Sequence, residues 1–394
     1  MPGPLDGFRI IDLTSMISGP LATMILADQG ADVIKVENPD GGDHTRAAAN
    51  RRGDFSAGFL NNNRNKRSVA LDLKNPAALA AILRLTATAD VFIQNFRPGV
   101  AERMGLGEAA VRAVAPEIIY VSISGFGETG PYAQKPVYDP LIQGVSGLAS
   151  IQAGSDTERP RLVRTIVPDK LTAYNAAQAI TAALLSRTRT GKGQHIRLSM
   201  LDAIIAFLWA SDMGSQTFVG EDIPQQEAAS FIDLIYETAT FPISAAVQSN
   251  KEWIALTRAL DKPAWLDDPR FKTPALRQRH INERLIMTQE ALRTRSAEEW
   301  LERLTNEGVP CAPVLTRTQM LTNPQVVANG IIVETEHDQA GLIRQARPAA
   351  RFSGTPATIR HGGPALGAQT EEVLAELGYS QSEIEAVTAR EHAA

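Results

Sequence analysis

The fold this sequence predicts is an open, mostly parallel α/β sheet covered by helices on both faces, with a smaller α+β domain set into the second half of the chain. Three observations carry that prediction. Residues 8–124 alternate short β-rich apolar runs with segments of helical period. The first three of these segments form a βαβ unit of about the usual 30 residues. Over residues 212–230 the chain then turns polar and loses its period before a different rhythm begins.

Taken in order, residues 9–13 read as a strand, 20–29 as a helix starting just after Gly19, and 32–37 as a second strand. Residues 68–73 are a third strand. Asn75 then caps a helix that has Pro76 in its first turn, where the missing N–H is no loss. Residues 91–94 and 118–124 are further strands, with a short helix in 107–115 between them, and right-handed crossovers are expected throughout. Beyond a glycine loop, Asp139-Pro140 starts a helix over 141–149, and a polar loop, 154–161, leads to an apolar strand or extended run at 162–167. Pro168-Asp169 opens a long Ala-rich helix, 190–194 is a turn, 195–198 a strand and 200–218 a helix. The organisation expected is a large domain over 1–211, a linker over 212–230, a small α+β domain over 231–314, a linker over 315–330 and a return to the large domain over 331–394. Within the small domain 240–247 reads as a strand, followed by helices near Trp253 and over 281–292 and 297–306.

Composition excludes several classes. The chain of 394 residues is 44% hydrophobic and 21% charged with a net charge of -5, which describes a globular protein with no nucleic-acid signature. Its longest basic tract is Arg64 to Arg67. No apolar run reaches the roughly 18 to 20 residues that span a bilayer, and MPGPLDGF lacks a signal-peptide pattern, so a cytoplasmic protein is expected. Cys311 is the sole cysteine and the six histidines show no ligand spacing, so no metal is expected. Cys311 sits between prolines in an apolar run and reads as a packed thiol.

Two stretches carry candidate chemistry. Asp169 falls in the first turn of its helix, where free N–H groups and the helix dipole favour a carboxylate. Read alone, it is either a helix-starting acid beside a proline or a carboxylate aimed into a cleft as a nucleophile. Gly125 to Gly130 has the spacing GxGxxG after a strand, but Pro131, Tyr132 and Pro136 follow where a dinucleotide site needs a helix. It reads as a backbone loop, although Glu37 at the end of the second strand is where an acid could hold an NAD ribose.

Several blocks, in order and spacing, resemble the class III CoA-transferases, the family that includes formyl-CoA transferase, α-methylacyl-CoA racemase and the CaiB/BaiF type. They are Gly19-Pro20, residues 30–37, 65–68 with 71–74, Asn95-Phe96-Arg97-Pro98-Gly99, the Gly125 to Pro131 loop, 190–194 and Gly308-Val309-Pro310. The resemblance implies a Rossmann-like large domain built from both chain ends, an inserted small domain, and an interlocked, ring-like homodimer. It places the family's catalytic aspartate at Asp169, which would carry acyl anhydride and CoA thioester intermediates. CoA and acyl-CoA would be substrates, with no tightly bound cofactor and no nucleic-acid or membrane partner. Coenzyme A contacts carry over to Met16, Leu71, Lys74, Asn95, Phe96, Arg97, Arg103 and Met104, and the acyl pocket to Ile17, Gly125, Gly127 and Tyr138.

The racemase branch of the family has a histidine where this chain has Tyr138, and a phenol is a poor base at neutral pH. That favours transfer over racemisation. Ile17 stands where oxalate-handling members carry glutamine, and 236–253 lacks the glycine-rich loop of the formyl-CoA branch. Asn38 replaces an expected cation.

Overall fold

The computed structural model describes residues 2–220 and 234–389, so residues 221–230 of the expected linker and 231–233 of the small domain lie outside the described residues. The chain divides into two compact units, one of residues 1–152, 160–217 and 330–394, the other of 153–159 and 218–329.

In the larger unit, β1 (Arg9–Asp12), α1 (Ser18–Asp28) and β2 (Asp32–Glu37) form the opening βαβ. A two-stranded hairpin, β3 (Arg51–Arg52) with β4 (Phe55–Ser56), and α2 (Ala57–Asn63) come next, in a region where the sequence showed no period. Then follow β5 (Lys66–Ala70), α3 (Pro76–Thr86), β6 (Val91–Gln94), α4 (Val100–Arg103), α5 (Glu108–Val114) and β7 (Ile119–Ser124). Asn75 caps α3 through its side chain, which accepts the Ala77 N–H at 2.9 Å. α6 (Asp139–Val145) and α7 (Leu148–Ala153) replace the single helix expected over 141–149, because Gly147 takes φ +89° between them. Residues 162–166 are irregular rather than a strand, and lead into α8 (Val167–Thr190), β8 (His195–Ser199), α9 (Met200–Trp209) and α10 (Gly214–Thr217). The helix expected over 200–218 thus stops at Trp209.

Six strands make one sheet in the order β5-β2-β1-β6-β7-β8, every neighbouring pair parallel. Alternate residues face alternate sides. Ile11, Ile34, Val69, Phe92 and Tyr120 pack under α3 and α5, while Ile10, Val33, Val91, Ile119 and Val121 pack under α1 and α8. The crossovers β1 to β2 and β7 to β8 therefore pass over the same face while running in opposite directions across the sheet. They are of opposite hand, contrary to the uniform hand expected. The handedness rule acts on short strand-helix-strand units, and the β7 to β8 connection, with α6 and α7 inside it, is too long to be bound by it. One consequence is that α8 lies beside α1, with buried Ala22 on α1 and Ala173, Ala176 and Ala183 on α8 in their shared core.

In the second unit, β9 (Ile235–Tyr236), β10 (Ile243–Ala245) and β11 (Cys311–Pro313) form an antiparallel sheet with β10 central. The strand expected over 240–247 is limited to these three residues of β10. Helices α11 (Asn250–Ala259), α12 (Pro274–Arg279), α13 (Ile281–Leu292) and α14 (Ala297–Glu307) enclose a core of Trp253, Phe271, Leu292 and Trp300, and the Cys311 thiol packs against it. α15 (Arg317–Met320) and α16 (Pro324–Asn329) occupy the segment expected as a linker over 315–330.

Residues 330–394 belong to the larger unit. β12 (Ile332–His337) and β13 (Gly341–Ala346) form a separate antiparallel hairpin rather than extending the six-stranded sheet. α17 (Thr370–Glu376) and α18 (Gln381–Thr388) return to the α3 and α5 face. Among the described residues no helix is long and apolar enough to cross a membrane.

Candidate functional site

A sheet of this order has its topological switch between β1 and β6, and ligands in such folds bind at the carboxyl ends of the strands beside that switch. Here the two loops leaving the switch are tied to each other. Asn95 accepts the Ser15 N–H at 3.0 Å and donates to the Ser15 carbonyl at 2.8 Å. Met16, next in chain, takes φ +70°, a left-handed conformation unusual for a side chain of its size, and is 37% exposed.

Of the coenzyme A candidates, Met16, Asn95, Phe96 and Arg97 thus stand at this switch. Leu71 and Lys74 follow β5 on the same edge, and Arg103 and Met104 lie at the end of α4, just after the β6 loop. Arg97, Arg103 and Lys74 are exposed, Asn95, Phe96 and Met104 half-buried. Leu71 is the exception. At 2% exposure it packs in the core against Leu13 and Val36, so its side chain supports the edge and does not present itself to a ligand.

Asp169 lies in the first turn of α8, half-buried, and its N–H donates to Asp139 Oδ2 at 3.1 Å. Burial, then the nearby Asp139 carboxylate, push the Asp169 carboxyl up to about 6, while a hydrogen bond from the Ser18 backbone pulls it down. Ser18, which follows the N-cap residue Ile17 at the start of α1, reaches Asp169 because α1 and α8 share a face of the sheet. Replacing Asp139 by asparagine is expected to lower the titration midpoint of Asp169, read by carbon-13 NMR of the labelled carboxyl; an unchanged or higher midpoint would contradict the assigned cause.

Gln143 was not singled out from the sequence, and Asp139 only as a helix start, yet both set the lead-in to α8. Asp139 is 2% exposed and accepts from Gln143 Nε2 at 2.6 Å. Gln143 in turn accepts the Val163 N–H at 2.9 Å and donates to the Val163 carbonyl at 3.2 Å. The available signal was their i, i+4 spacing, which puts both side chains on one helical face.

The glycine loop is shaped by contact. A Cβ on Gly125 would sit on Val137 Cγ1 and within 2.9 Å of Val137 Cβ and Cγ2. Gly127 has φ +102°, and its N–H donates to Ser124 Oγ at 3.2 Å, so that donor is not free for an oxyanion. Glu128 anchors the loop, accepting from Ser122 Oγ at 2.8 Å and Arg197 Nε at 2.9 Å. Tyr138 is 69% exposed, whereas Phe126 and Val137 pack inward.

Glu37 is unavailable to a ribose: it is 5% exposed and holds Arg46 through both carboxylate oxygens, at 2.7 and 2.8 Å. A groove of about 530 Å³ lies between the β3–β4 hairpin with α2 and the β12–β13 hairpin, and none of its lining residues is among the candidates above. Among the described residues no group of three or more His, Cys, Asp or Glu is placed to hold a metal ion.

Fold and site together define a doubly wound α/β protein with a half-buried carboxylate in the first turn of a helix packed on the sheet. Comparison with known proteins makes this specific. The sequence profile of CoA-transferase family III matches residues 5–370. The chain is 34% identical over 381 residues to the human protein named succinyl-CoA:glutarate CoA-transferase, across 95% of this chain and 86% of that one. It is 36% identical over 384 residues to succinate–glutarate CoA-transferase of Agrobacterium fabrum, across 95% of this chain and 96% of that one. The crystal structure of a CaiB/BaiF family protein from Brucella suis matches with a TM-score of 0.82 and 30% identity, covering 96% of this chain and 100% of that one. The chain belongs to CoA-transferase family III and is an enzyme of that class.

Proposed function

We propose that the protein moves CoA from an acyl-CoA donor to a carboxylic acid acceptor through covalent intermediates on Asp169. The observation that carries this reading is the Asp169 carboxylate itself. It is half-buried and met by a backbone hydrogen bond at Ser18, on the strand-end edge where the exposed cations Arg97, Arg103 and Lys74 also lie. A carboxylate oxygen of Asp169 attacks the donor thioester carbonyl; the C–S bond breaks, CoA leaves as thiolate, and an acyl–aspartyl anhydride remains. The thiolate attacks the aspartyl carbonyl, breaking its bond to the bridging oxygen, releasing the donor acid and forming an aspartyl-CoA thioester. The acceptor carboxylate displaces the thiolate from that thioester. The thiolate then takes the acceptor acyl group and frees the Asp169 carboxylate. Four modest displacements replace one difficult exchange, and the thioester energy stays on the protein. CoA is substrate in this scheme, and no tightly bound cofactor takes part.

Succinyl-CoA with glutarate is the first donor and acceptor pair to try, because relatives at 34% and 36% identity carry those names. The apolar Ile17 beside Ser18 supports an acyl chain longer than that of oxalate. A homodimer is part of the proposal. Tyr138, Leu141 and Val145 along α6, Tyr174 and Leu185 on α8, and Phe207 and Trp209 on α9 are each about half exposed or more, an apolar surface that a lone chain would leave in water. Sedimentation is expected to give the mass of two chains.

The test is intact-protein mass spectrometry after incubation with a panel of acyl-CoAs, with hydroxylamine trapping and mapping of the modified peptide. A hydroxylamine-sensitive adduct at Asp169, absent in Asp169→Ala, is the expected result. No adduct with any donor, together with exchange of the α-proton into solvent, would overturn the reading and favour racemase-like chemistry.

A further inference from the structure

Two ion pairs lie wholly buried beneath the loop that joins β1 to α1. Lys35 Nζ stands 2.9 Å from Asp43 Oδ2, and Lys66 Nζ stands 3.0 Å from Asp12 Oδ2, all four side chains being 0% exposed. A lysine on the strand Asp32–Glu37 would ordinarily reach for water. Here the partners instead hold the backbone of the loop and of the first turn of α1. Lys35 donates to the Thr14 carbonyl at 2.7 Å, Asp43 Oδ1 accepts the Met16 N–H at 3.2 Å, and Lys66 donates to the Pro20 carbonyl at 2.8 Å. Asp12 Oδ1 accepts the Thr14 N–H at 2.9 Å and its hydroxyl at 2.5 Å.

Neither pair is self-contained. Beyond their mutual contact, Lys35 donates to the Thr14 carbonyl and Asp43 accepts from the Met16 N–H, so both groups also bond to the loop. Asp43 is itself braced: its N–H donates to Glu37 Oε2 at 2.9 Å, and its Oδ1 accepts from the Thr45 N–H at 2.9 Å and hydroxyl at 2.8 Å. Apolar residues of similar size would serve stability as well as buried charges do. What the charges add is direction. Met16, whose N–H Asp43 accepts, takes φ +70° two residues before Ser18, the residue whose backbone meets Asp169.

We propose that Asp43 and Lys35 are positioning residues for the reaction: by gripping Met16 and Thr14 they keep the loop in its left-handed turn and the Ser18 N–H on the Asp169 carboxylate. This rests on the reading of Asp169 as the nucleophile, and its test separates the two. In Asp43→Ala the rate of adduct formation at Asp169 is expected to fall roughly 10- to 100-fold, the range a small misplacement of a reacting group produces. Carbon-13 NMR of the Asp169 carboxyl, which needs no turnover, is expected to show its titration midpoint moved upward, because the bond that favours the ionised form is lost. Adding Met16→Gly should restore the titration midpoint, which does not depend on coenzyme A binding, since glycine adopts φ near +70° unaided. In the otherwise unaltered protein the same Met16→Gly change should only weaken coenzyme A binding.

If Asp43→Ala does not fold, Lys35→Met with Asp43→Leu replaces the pair by apolar groups and still removes the grip, and the same loss is expected. A folded variant with an unchanged Asp169 midpoint overturns the positioning role. A moved midpoint in a protein that forms no adduct supports the positioning role and removes the proposed function.

Discussion

Asp169→Asn is expected to lose at least about 10⁴-fold in turnover, the scale seen when a covalent nucleophile is removed, and yet to melt at a higher temperature than the unaltered protein at pH 8. Both effects come from one feature. The folded protein raises the Asp169 carboxyl to about 6, through burial first and Asp139 second. The folded state therefore binds this proton more tightly than the unfolded state does. Below the ordinary carboxylate range both states are protonated and nothing is lost; as pH rises from about 4 to 6 the folded state forfeits that advantage, and above 6 the penalty is complete. A rise of about two units corresponds to about 3 kcal/mol at most. Partial solvent access reduces it to about 1–2 kcal/mol, or roughly 1–3 °C in melting temperature. Asparagine escapes the penalty, so the two proteins should melt together at pH 4 and diverge by pH 8. The same titration sets the acid limb of turnover, which should fall away as pH drops through about 6 because only the carboxylate attacks. Retained turnover in the variant, or equal melting temperatures at both pH values, would contradict this account of Asp169.

Gly125→Ala is the second large effect, expected to cost about 100-fold in kcat and about 1–3 kcal/mol in stability. The Cβ would overlap Val137, whose two γ-carbons leave it little rotamer freedom. Relief requires moving the backbone of 125–130 or of 137–139, and the second choice carries Asp139, which holds the Asp169 N–H, with it. Gly127→Ala makes the contrast. A Cβ there meets open space, so the penalty is the positive φ alone, about 1 kcal/mol. Kinetics and melting of the two variants should rank Gly125 well above Gly127, and Val137→Ala should recover part of the Gly125→Ala loss. Equal behaviour of the two glycine variants would show that backbone conformation, not contact with Val137, governs the loop.

Much of this was legible in the residues because it depends on near neighbours. The strand and helix rhythm of 8–124, the Asn75-Pro76 helix start and the place of Asp169 in a first turn are statements about residues a few positions apart. The spaced blocks, read together, named the family. Asp139 and Gln143 could have been found by the same local rule, since i, i+4 spacing was in view. The hairpin β3–β4 and α4 escaped because elements of two to four residues hold no period to detect. The basic tract Arg64 to Arg67 stood out in the sequence only by its length. Arg64 in fact pairs with buried Asp28, Lys66 with Asp12, and Arg67 with Asp32, partners separated from the tract in sequence by 35 residues or more.

By itself, then, the sequence determined the α/β class, the six strands of the parallel sheet to within a few residues, the family and the residue on which to look for chemistry. Hydrophobic period, caps and turns act over one or two helical turns, and a linear text displays them directly. Tertiary structure alone decided that α8 crosses to the α1 side, that Ser18 therefore meets Asp169, that Leu71 belongs to the core, and that Lys35 and Lys66 are buried under the loop they hold. Those outcomes turn on which face a long connection covers and on charges brought together from distant positions. Such contacts arise from the packing of the whole unit, and no local pattern encodes them.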